Sequence, residues 1–452
     1  MEEITVRRER LEHAAMAPIL HTSWRYWAWV GFLIAVLGWG VYAYTVQLRE
    51  GLVVTGMRDR ISWGLYIVTF VFFIGISHAG TLISAILRVT QAKWRTPVTR
   101  MAEFITVVAL CCGAMFVLVD LGRPDRALNV ITHGRWQSPI IWDLVSITTY
   151  LTASIVYLGL PMIPDLALFR DRLAGTVPRW RTWLYRVGAV GWHGDASQKR
   201  HLGTAIFILM ILIIPIAVSV HTVVSWIFAM TLRVPWNSTI FGAFFVAGAI
   251  YSGIGMLIIV MYVLRKVYHL EEYIEEKHFV YLGIMLAAFS VIMMYGNISE
   301  YVTTGYKLQE GEEFQFRQLF LNEFAGFYWY YFVGGLVLPG VLMLVPWTRN
   351  IGGVVVAAVL AVVAMWVERY FIVIAGLRVP LLSYSPSNYA PTWVELSIVG
   401  AGFALFALLI TVFVKIFPII AVWEVAEEFE ERVEGVAATA PPLLPEPVGG
   451  GQ

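Results

Sequence analysis

The sequence predicts an all-α, polytopic membrane protein with about ten transmembrane helices. Of its 452 residues, 59% are hydrophobic and only 14% are charged, whereas soluble globular chains carry roughly a quarter Asp, Glu, Lys and Arg. Apolar runs long enough to cross ~30 Å of hydrocarbon, which takes about 20 helical residues, recur along the chain. These observations exclude an ordinary cytosolic enzyme.

The predicted spans are separated mostly by short connections, so no soluble catalytic domain is expected between them. They lie near residues 26–46, 62–88, 100–119, 142–163, 202–230, 238–264, 279–303, 326–345, 351–376 and 393–420. Because the number of spans is even, both termini are predicted to lie on one side of the membrane.

Basic residues predict which side that is. Lys and Arg are retained in the cytoplasm, and 20 of them fall on the side of the termini against 10 on the other. Both termini are therefore predicted to be cytoplasmic. Residues 1–25 carry four Arg and no apolar core, so they are not a signal peptide. The connection 164–201 mixes Arg with Trp and is expected on the cytoplasmic membrane surface, and 423–452 is expected to form an acidic, Pro- and Gly-rich tail.

Charge and cysteine content exclude several kinds of partner and site. The 32 basic and 31 acidic residues give a net charge of +1, so nucleic acid is not an expected partner. Cys111 and Cys112 are adjacent in an apolar run, where neighbouring helical positions point in different directions. They offer no disulfide framework, zinc site or iron–sulfur cluster, and no metal site is predicted.

Ionisable side chains inside the spans are the candidate functional groups, because each costs about 2.5–3.5 kcal/mol on insertion scales. They are His78, Glu103, Asp120, Asp143 and His221 in the first half, and Glu300, Glu323, Glu368, Arg369 and Glu395 in the second. A rise of ~1.5 Å per residue places Asp120, Asp143 and His221 near the outer face, where they can share one shallow pocket. His78 is predicted to lie deeper, ~24 Å from that face.

The two intramembrane histidines predict that the chain holds no haem. The estimated depths of His78 and His221 differ too much for both to ligate one iron, and the spans contain no second pair. Without haem, cluster or nucleotide motif, the chain cannot pass electrons along itself. It could still hold a redox-active, lipid-soluble molecule beside the cofactor of a partner.

A quinol is such a molecule. Its oxidation requires an apolar, aromatic slot, hydrogen-bond partners for two ring oxygens and bases that take up two protons. Carboxylate and imidazole acceptors near the outer face, with tryptophans adjacent in sequence, meet these needs. The acceptors are Asp120, Asp143 and His221, and the tryptophans are Trp136, Trp142 and Trp226.

Structural roles account for the same residues. Asp120 precedes Leu-Gly-Arg-Pro, which stops a helix, and Asp143 fits the first turns of a helix, where the macrodipole favours an acid. His78, followed by Ala-Gly-Thr, fits a close helix contact, and His221 could bond a neighbouring helix. The adjacent Glu368 and Arg369 form either a structural ion pair or one step of a proton path.

Several short motifs, taken together, resemble the NrfD/PsrC family of quinone-interacting membrane subunits. They are WGLY at 63–66, FIGISHAGTLISA at 73–85, RMAE at 100–103, LGRP at 121–124, SPIIWD at 138–143, IPD at 163–165, VHTVVS at 220–225, STIFG at 238–242 and VER at 367–369. The resemblance covers roughly residues 18–420. It is greatest to the ActC type, from the bacterial alternative complex III.

The resemblance implies an architecture and a set of partners. Spans two to five and six to nine form two four-helix bundles flanked by the first and last helices, giving segments 26–230, 231–376 and 377–422. The protein is expected in the bacterial inner membrane among lipids. Its expected protein partners are an iron–sulfur subunit docked on the outer face, multihaem cytochrome c subunits and a paralogous NrfD-like membrane subunit.

The resemblance also implies a quinol site, with menaquinol as the expected substrate, in the first bundle near the outer face. Asp143 matches a family site carboxylate and is assigned a catalytic role with Asp120 and His221. Binding roles are assigned to His78, Arg123, Trp142 and Ser225, and a proton path to Glu103, Glu300, Glu323, Glu368 and Arg369. Two positions depart from the family, since Asp120 replaces a His and Ile227 replaces an acid that many relatives have.

The resulting hypothesis is a membrane subunit of a respiratory or photosynthetic quinol:electron-acceptor oxidoreductase, inactive without its partners. Three alternatives stay open: the membrane anchor of a molybdenum, polysulfide-type reductase; a non-catalytic paralogue that acts as scaffold or proton path, which the missing acid at Ile227 favours; and a secondary transporter. Transporters place paired broken helices at the midplane, whereas Pro215 is the only proline in the middle of a first-bundle span.

Overall fold

The computed structural model describes residues 2–426, except Lys93, Leu232, Pro235, Glu310, Leu381, Ser383 and Tyr384, and except the side chains of 2–8, Ala79, Thr81 and Leu82. Within this part of the chain the protein is all-α, and ten helices are long and apolar enough to cross a membrane. The predicted fold class and number of spans are therefore confirmed.

The helices are numbered in chain order. They are α1 Glu2–Leu20, α2 Trp24–Glu50, α3 Leu65–Val89, α4 Thr96–Asp120, α5 Asn129–Thr132, α6 Pro139–Arg172, α7 Arg179–Gly188, α8 Ala196–Ala229, α9 Phe241–Val267, α10 Glu276–Lys307, α11 Glu312–Phe320, α12 Ala325–Trp329, α13 Leu338–Leu344, α14 Ile351–Arg378 and α15 Trp393–Ile416. A π-helical stretch, Tyr330–Val337, joins α12 to α13, so these three pieces form one crossing.

Local sequence signals set several helix starts. The hydroxyl of Ser23 accepts from the backbone N–H of Arg25 (3.4 Å) and caps α2. Pro139 occupies the first turn of α6, where its missing N–H costs nothing. Thr392 and Glu395 form a reciprocal capping box at the start of α15.

The crossings pack in two groups around a shared interface. Helices α3, α4, α6 and α8 contact one another, as do α9, α10, α13 and α14, while α3 contacts both α9 and α14. In α3, 93% of the apolar stretch is buried, against 22% in α2. Helix α3 therefore lies at the centre, and α2 packs along α15 at the periphery.

Hydrogen bonds show that the start of the first crossing, α2, and the end of the last crossing, α15, lie on the same side of the membrane. The ammonium group of Lys415, near the end of α15, donates to the carbonyls of Pro18 and His21 (both 2.6 Å), just before α2. We call this the termini side and the other the distal side. That the termini side faces the cytoplasm remains a prediction.

Helix α6 extends beyond its predicted end at residue 163, through Pro161 and Pro164, to Arg172. Side chains from outside α6 donate to its backbone in this region. The carbonyl of Pro161 accepts from Arg100 Nη2 (2.8 Å) and from the indole N–H of Trp423 (2.7 Å).

The chain after α15 returns to the bundle. Residues 417–426, named the C-terminal strap, pack against the termini side of α3, α4 and α6, and Val422, Glu424 and Val425 are buried. Residues 423–426, at the start of the predicted tail, therefore belong to the packed structure. The remainder of that tail lies outside the described residues.

Candidate functional site

The contact between α6 and α8 near the distal side combines a carboxylate with two indole rings. Asp143 lies in the second turn of α6 and is only 7% exposed. Its Oδ1 atom is buried and has no hydrogen-bond partner among the described residues. The rings of Trp142 and of Trp226 on α8 lie 6.3 Å apart, so Asp143 and Ser225 stand at similar heights on facing helices.

These residues form what we call the α6–α8 edge: Trp142, Asp143, Ser225 and Trp226. The indole N–H of Trp142 donates to the carbonyl of Trp136 (2.6 Å), which holds the ring in place. Trp226 is 36% exposed on a membrane-spanning helix and so faces lipid. The edge thus has a fixed ring, a buried acceptor and an open lipid side.

His221 lies one turn further into the membrane than Ser225, on the same face of α8. It is fully buried, and neither ring nitrogen has a hydrogen-bond partner among the described residues. The hydroxyl of Ser225 donates to the carbonyl of Thr222 (2.6 Å), which leaves its oxygen able to accept. Buried polar atoms without a partner are costly, and the two nitrogens of His221 are free to bond water or a ligand.

The expectation that His78 and His221 lie at different depths is wrong. Their rings are in contact, with centroids 4.0 Å apart, and the Nε2 atom of His78 lies 2.5 Å from the carbonyl of Ala217 on α8. Side chains lean toward the N-terminus of their own helix. Because α3 and α8 are antiparallel, the two histidines lean toward each other, which a count of Cα rise ignores. Two rings in contact leave no space between them for a haem iron.

Asp120 and Arg123 lie elsewhere on the distal side. Asp120 ends α4 and interacts electrostatically with Tyr66 and Glu395, next to α2 and α15. Arg123 is in the following turn, is largely exposed and forms a two-pronged ion pair with Asp125 (3.0 and 2.9 Å). Within the described residues no hydrogen bond, ion pair or ring contact joins any two of Asp120, Asp143 and His221, so a single shared pocket remains a prediction.

Glu103 belongs to a polar cluster at the termini side. Its Oε1 atom accepts from the hydroxyl of Ser84 (2.7 Å) and from Arg88 Nη2 (3.3 Å). Arg88 also pairs with Glu424 of the C-terminal strap (2.9 Å). Glu103 therefore sits at the opposite end of the first bundle from the α6–α8 edge.

The second bundle contains an unusual buried pair. The Nη1 atom of Arg369 lies 2.6 Å from Glu368 Oε2, but the contact lacks hydrogen-bond alignment, and both Glu368 oxygens have no hydrogen-bond partner among the described residues. The guanidinium of Arg369 lies 4.5 Å from the centre of the Phe245 ring, and that ring is 6.5 Å from His221. The pair therefore reaches the interface between the two bundles.

Glu368 also lines a cavity of ≈ 50 Å³ between α9, α10, α11 and α14. Glu300 and Tyr301 are among the other polar lining residues, and Glu300 accepts from the hydroxyl of Ser238 (2.7 Å). This volume is enough for a few water molecules. Unpartnered oxygens at a polar cavity are the usual sites of internal water.

The placement of Glu323 inside a span is wrong. It lies in the turn between α11 and α12, its side chain is 54% exposed, and it pairs with Arg378. The apolar run begins only at Ala325, because the polar pair Asn322 and Glu323 ends the preceding helix. Glu323 is therefore a surface residue of the distal side.

Sequence reasoning missed a fully buried ion pair, Arg100 with Asp165, which joins α4 to α6. Asp165 also accepts from the backbone N–H groups of Val422 and Trp423 (3.2 and 3.0 Å). Arg100 lies at the edge of a predicted span and Asp165 lies in a predicted connection, where charged residues are expected. The Pro164-Asp165 doublet of the IPD motif is the one signal that could have found the pair.

The comparisons with known proteins agree with this architecture. The family model described as "Polysulphide reductase, NrfD" matches residues 53–380. The chain belongs to the NrfD family. The match runs from the connection before α3 to the end of α14 and so includes both groups of packed helices.

Three relatives of this NrfD-family chain differ in their extent of similarity. A putative membrane subunit of a dimethyl sulfoxide reductase from Halobacterium salinarum is 32% identical over 251 residues, which is 54% of either chain. The Hdr-like menaquinol oxidoreductase integral membrane subunit of Archaeoglobus fulgidus is 23% identical over 431 residues, 90% of this chain and 97% of the relative. The menaquinone reductase integral membrane subunit of Nitratidesulfovibrio vulgaris is 23% identical over 381 residues, 82% and 86% respectively.

Proposed function

We propose that this chain is the membrane subunit of a quinol-oxidising oxidoreductase complex, with its quinol site at the α6–α8 edge. The observation that carries the proposal is the buried carboxylate of Asp143, with one oxygen unpartnered, beside the Trp142 and Trp226 rings at a lipid-facing surface. Two relatives are named as subunits of menaquinol or menaquinone enzymes, which supports menaquinol as the substrate class.

The residues of the edge fit a quinol. Aromatic rings bind a flat, apolar ring, and the lipid-facing side accommodates a lipid tail. Oδ1 of Asp143 is free to accept a proton from a ring hydroxyl, and a nitrogen of His221, one turn deeper, is free to accept another. The fixed indole of Trp142 limits how a ring can be oriented. A bound quinol supplies two electrons and two protons to this site.

Electrons released here must pass to partners. We propose that an iron–sulfur subunit docks on the distal side, that multihaem cytochrome c subunits follow it, and that a paralogous NrfD-like membrane subunit lies alongside, as in an alternative complex III of the ActC type. On this proposal the distal side faces outward in a bacterial inner membrane, so protons leave toward that side.

We further propose that the second bundle carries a proton path through Glu368. Its unpartnered oxygens line the water-sized cavity that also contains Glu300, and its neighbour Arg369 approaches His221 through Phe245. A carboxylate that alternates between water and an arginine can take up and release protons. Glu103 would serve the termini side of the first bundle.

The test of the quinol site is Asp143→Asn in the purified complex. Asn keeps the size of the side chain but cannot accept a proton, so we expect quinol:acceptor activity to fall about 100-fold or more. Asp171→Asn, at a highly exposed carboxylate paired with Arg170, is the control and should keep full activity. Full activity of Asp143→Asn with unchanged inhibitor sensitivity would show that the site lies elsewhere.

The second candidate is the membrane anchor of a molybdenum reductase, which the name of the Halobacterium relative supports. The two candidates differ in the subunits that co-purify with the tagged chain. Iron–sulfur and multihaem cytochrome subunits would favour the ActC type, and a molybdenum-containing subunit would favour the anchor. A non-catalytic scaffold would instead fail to be labelled by a photoreactive quinone analogue anywhere along α6 and α8.

A further inference from the structure

Helix α7 presents two adjoining stripes of unlike chemistry. Trp180, Trp183 and Val187 are 53%, 65% and 54% exposed, and at about 100° per residue they fall on one edge of the exposed face. Arg179 and Arg186 are exposed on the other edge. The exposed tryptophans are unfavourable in water, whereas the arginines favour a polar or anionic environment, so the face as a whole suits a boundary between apolar and charged surroundings.

The opposite face of α7 is anchored to the transmembrane bundle. Tyr185 is fully buried, its hydroxyl donates to the carbonyl of Ile416 at the end of α15 (2.9 Å), and its ring lies 5.7 Å from that of Phe169 at the end of α6. Both contacts are at the termini side. Helix α7 therefore packs against the ends of α6 and α15, where we expect acyl chains to meet headgroups.

The surrounding segment is strongly basic. Residues 170–201 contain seven Lys and Arg against two acids, Asp171 and Asp195, and Asp171 is neutralised by Arg170 (2.7 Å). Basic residues at the end of transmembrane helices attract anionic lipid, at about 1 kcal/mol each near the surface. Interfacial helices with tryptophan on the apolar edge and arginine on the polar edge bind such membranes.

We propose that α7 is a binding surface for anionic phospholipid, with Trp180, Trp183 and Val187 in the acyl boundary and Arg179 and Arg186 on the phosphates. The charge of the segment selects this occupant over a neutral lipid, and the anchored position of α7 selects it over a soluble ligand. This surface lies on the termini side and is independent of the quinol site at the α6–α8 edge.

The test compares lipid binding by the purified full chain in detergent micelles doped with phosphatidylglycerol or with phosphatidylcholine. The α7 variant is Arg179→Gln with Arg186→Gln. The matched control, Arg126→Gln with Arg135→Gln, removes the same charge from exposed positions on the distal side. Native mass spectrometry counts retained lipids, and the apparent melting temperature is measured against lipid concentration.

We expect wild type and control to retain phosphatidylglycerol and to melt higher as it is added, whereas the α7 variant should lose at least half of both responses. All three should respond little to phosphatidylcholine. Equal phosphatidylglycerol responses in all three proteins would overturn the proposal. So would an α7 variant that keeps the lipid response but loses a co-purifying protein subunit, because the occupant would then be a protein.

Discussion

At the scale of single residues, the two buried histidines are in contact but differ in their bonding. Each nitrogen of the His78 ring lies within hydrogen-bond distance of a carbonyl, that of Ile74 (3.1 Å) or Ala217 (2.5 Å), and the nitrogen that carries the proton donates to its carbonyl. Both nitrogens of His221 lack a partner among the described residues. A group that is buried without partners lowers stability. The buried ring of His221 therefore lowers the stability of the fold, which is not expected of a residue whose role is only structural.

This difference predicts opposite outcomes for the same substitution. His78→Leu removes the hydrogen bond from the ring to a backbone carbonyl and should lower the free energy of unfolding by about 0.5–1.5 kcal/mol. His221→Leu replaces the ring by an apolar group and removes no hydrogen bond among the described residues, so it should leave stability unchanged or raise it. Melting of the two purified variants in detergent checks this. Equal destabilisation by both would indicate that His221 has a structural bond.

The rate of quinol oxidation is the second property to measure for the same two variants. If His221 accepts a proton, His221→Leu should lose activity by about 100-fold despite its stability. His78→Leu provides the matched comparison, since it alters the neighbouring ring of the same cluster. An active His221→Leu enzyme would remove His221 from the catalytic group.

The sequence sufficed to find these residues but not to pair them. Charged and imidazole groups within spans are few, so Asp143, His78 and His221 could be named in advance. Their contacts could not be predicted. Side chains lean in opposite directions on antiparallel helices, and this shifts the depth of a ring or carboxylate by more than a count of residues can resolve. The Arg100–Asp165 ion pair was missed for a different reason. The prolines within α6 resemble the end of a span, so Asp165 was placed in a connection.

At the scale of helices, α3 and α4 pack so closely that a glycine is required. A methyl group at Gly80 would overlap the carbonyl of Ala102 and the hydroxyl of Thr106. That hydroxyl donates to the carbonyl of Ser77 (2.6 Å), so it has little freedom to move. Small residues allow this approach in membranes.

Gly80→Ala should therefore destabilise the chain by about 1–3 kcal/mol, the usual cost of overpacking. Gly38→Ala, in α2, is the control because no atom lies within 4 Å of its added methyl group. The control should be neutral or stabilising by up to about 1 kcal/mol. Apparent melting temperatures in detergent measure both effects. Similar values for the two variants would show that α3 and α4 can move apart to accommodate the methyl group at little cost in stability.

The C-terminal strap is held by Glu424, which bridges Arg88 (2.9 Å) and Arg95 (3.3 Å). Glu424→Gln should lower stability by about 1.5–3 kcal/mol, because bonds to charged groups are lost from a buried position. Glu313→Gln, in the exposed pair with Arg317, should cost less than about 1 kcal/mol. Equal melting temperatures would show that the ion pairs of Glu424 contribute nothing to stability.

The strap also predicts a response to acid. Burial would raise the pKa of Glu424, but Arg88 and neighbouring arginines outweigh it and hold the pKa below its ordinary value of 4.5. A depressed pKa stabilises the fold above pH 4.5, and that contribution is lost as the pH falls through the folded-state pKa. Wild type should therefore lose more stability on acidification below pH 4.5 than Glu424→Gln does, and parallel pH curves would contradict this.

The predicted helices were found, but their irregularities were not foreseen. In the π-helical stretch of the eighth crossing, the carbonyls of Gly335 and Leu336 accept from the hydroxyls of Tyr251 (2.5 Å) and Ser290 (2.6 Å). Those donors come from other helices, so nothing local to residues 330–337 reveals them. Glu323 was assigned to a span although the predicted span begins only at residue 326, and the structure, in which the crossing begins at Ala325, places Glu323 in the preceding turn.

At the scale of the whole molecule, the side that each end of the bundle faces follows only from the distribution of basic residues. Asn129→Cys, on the distal side, should react with a membrane-impermeant maleimide in intact cells. Ser197→Cys, on the termini side, should react only after the membrane is opened. Both positions are exposed. The reverse pattern would place the quinol site at the cytoplasmic surface and exclude outward release of its protons.

The pairing of α2 with α15 has a consequence for biogenesis. Trp39 and Trp29 of the first crossing bond Ser397 and Thr411 of the last (2.9 and 3.2 Å), so a contact separated by more than 350 residues closes the fold. Contacts this distant in sequence form late. During synthesis α2 must wait in the bilayer with its aromatic face uncovered, and a ribosome that stalls before residue 393 leaves a membrane chain without its final partner helix.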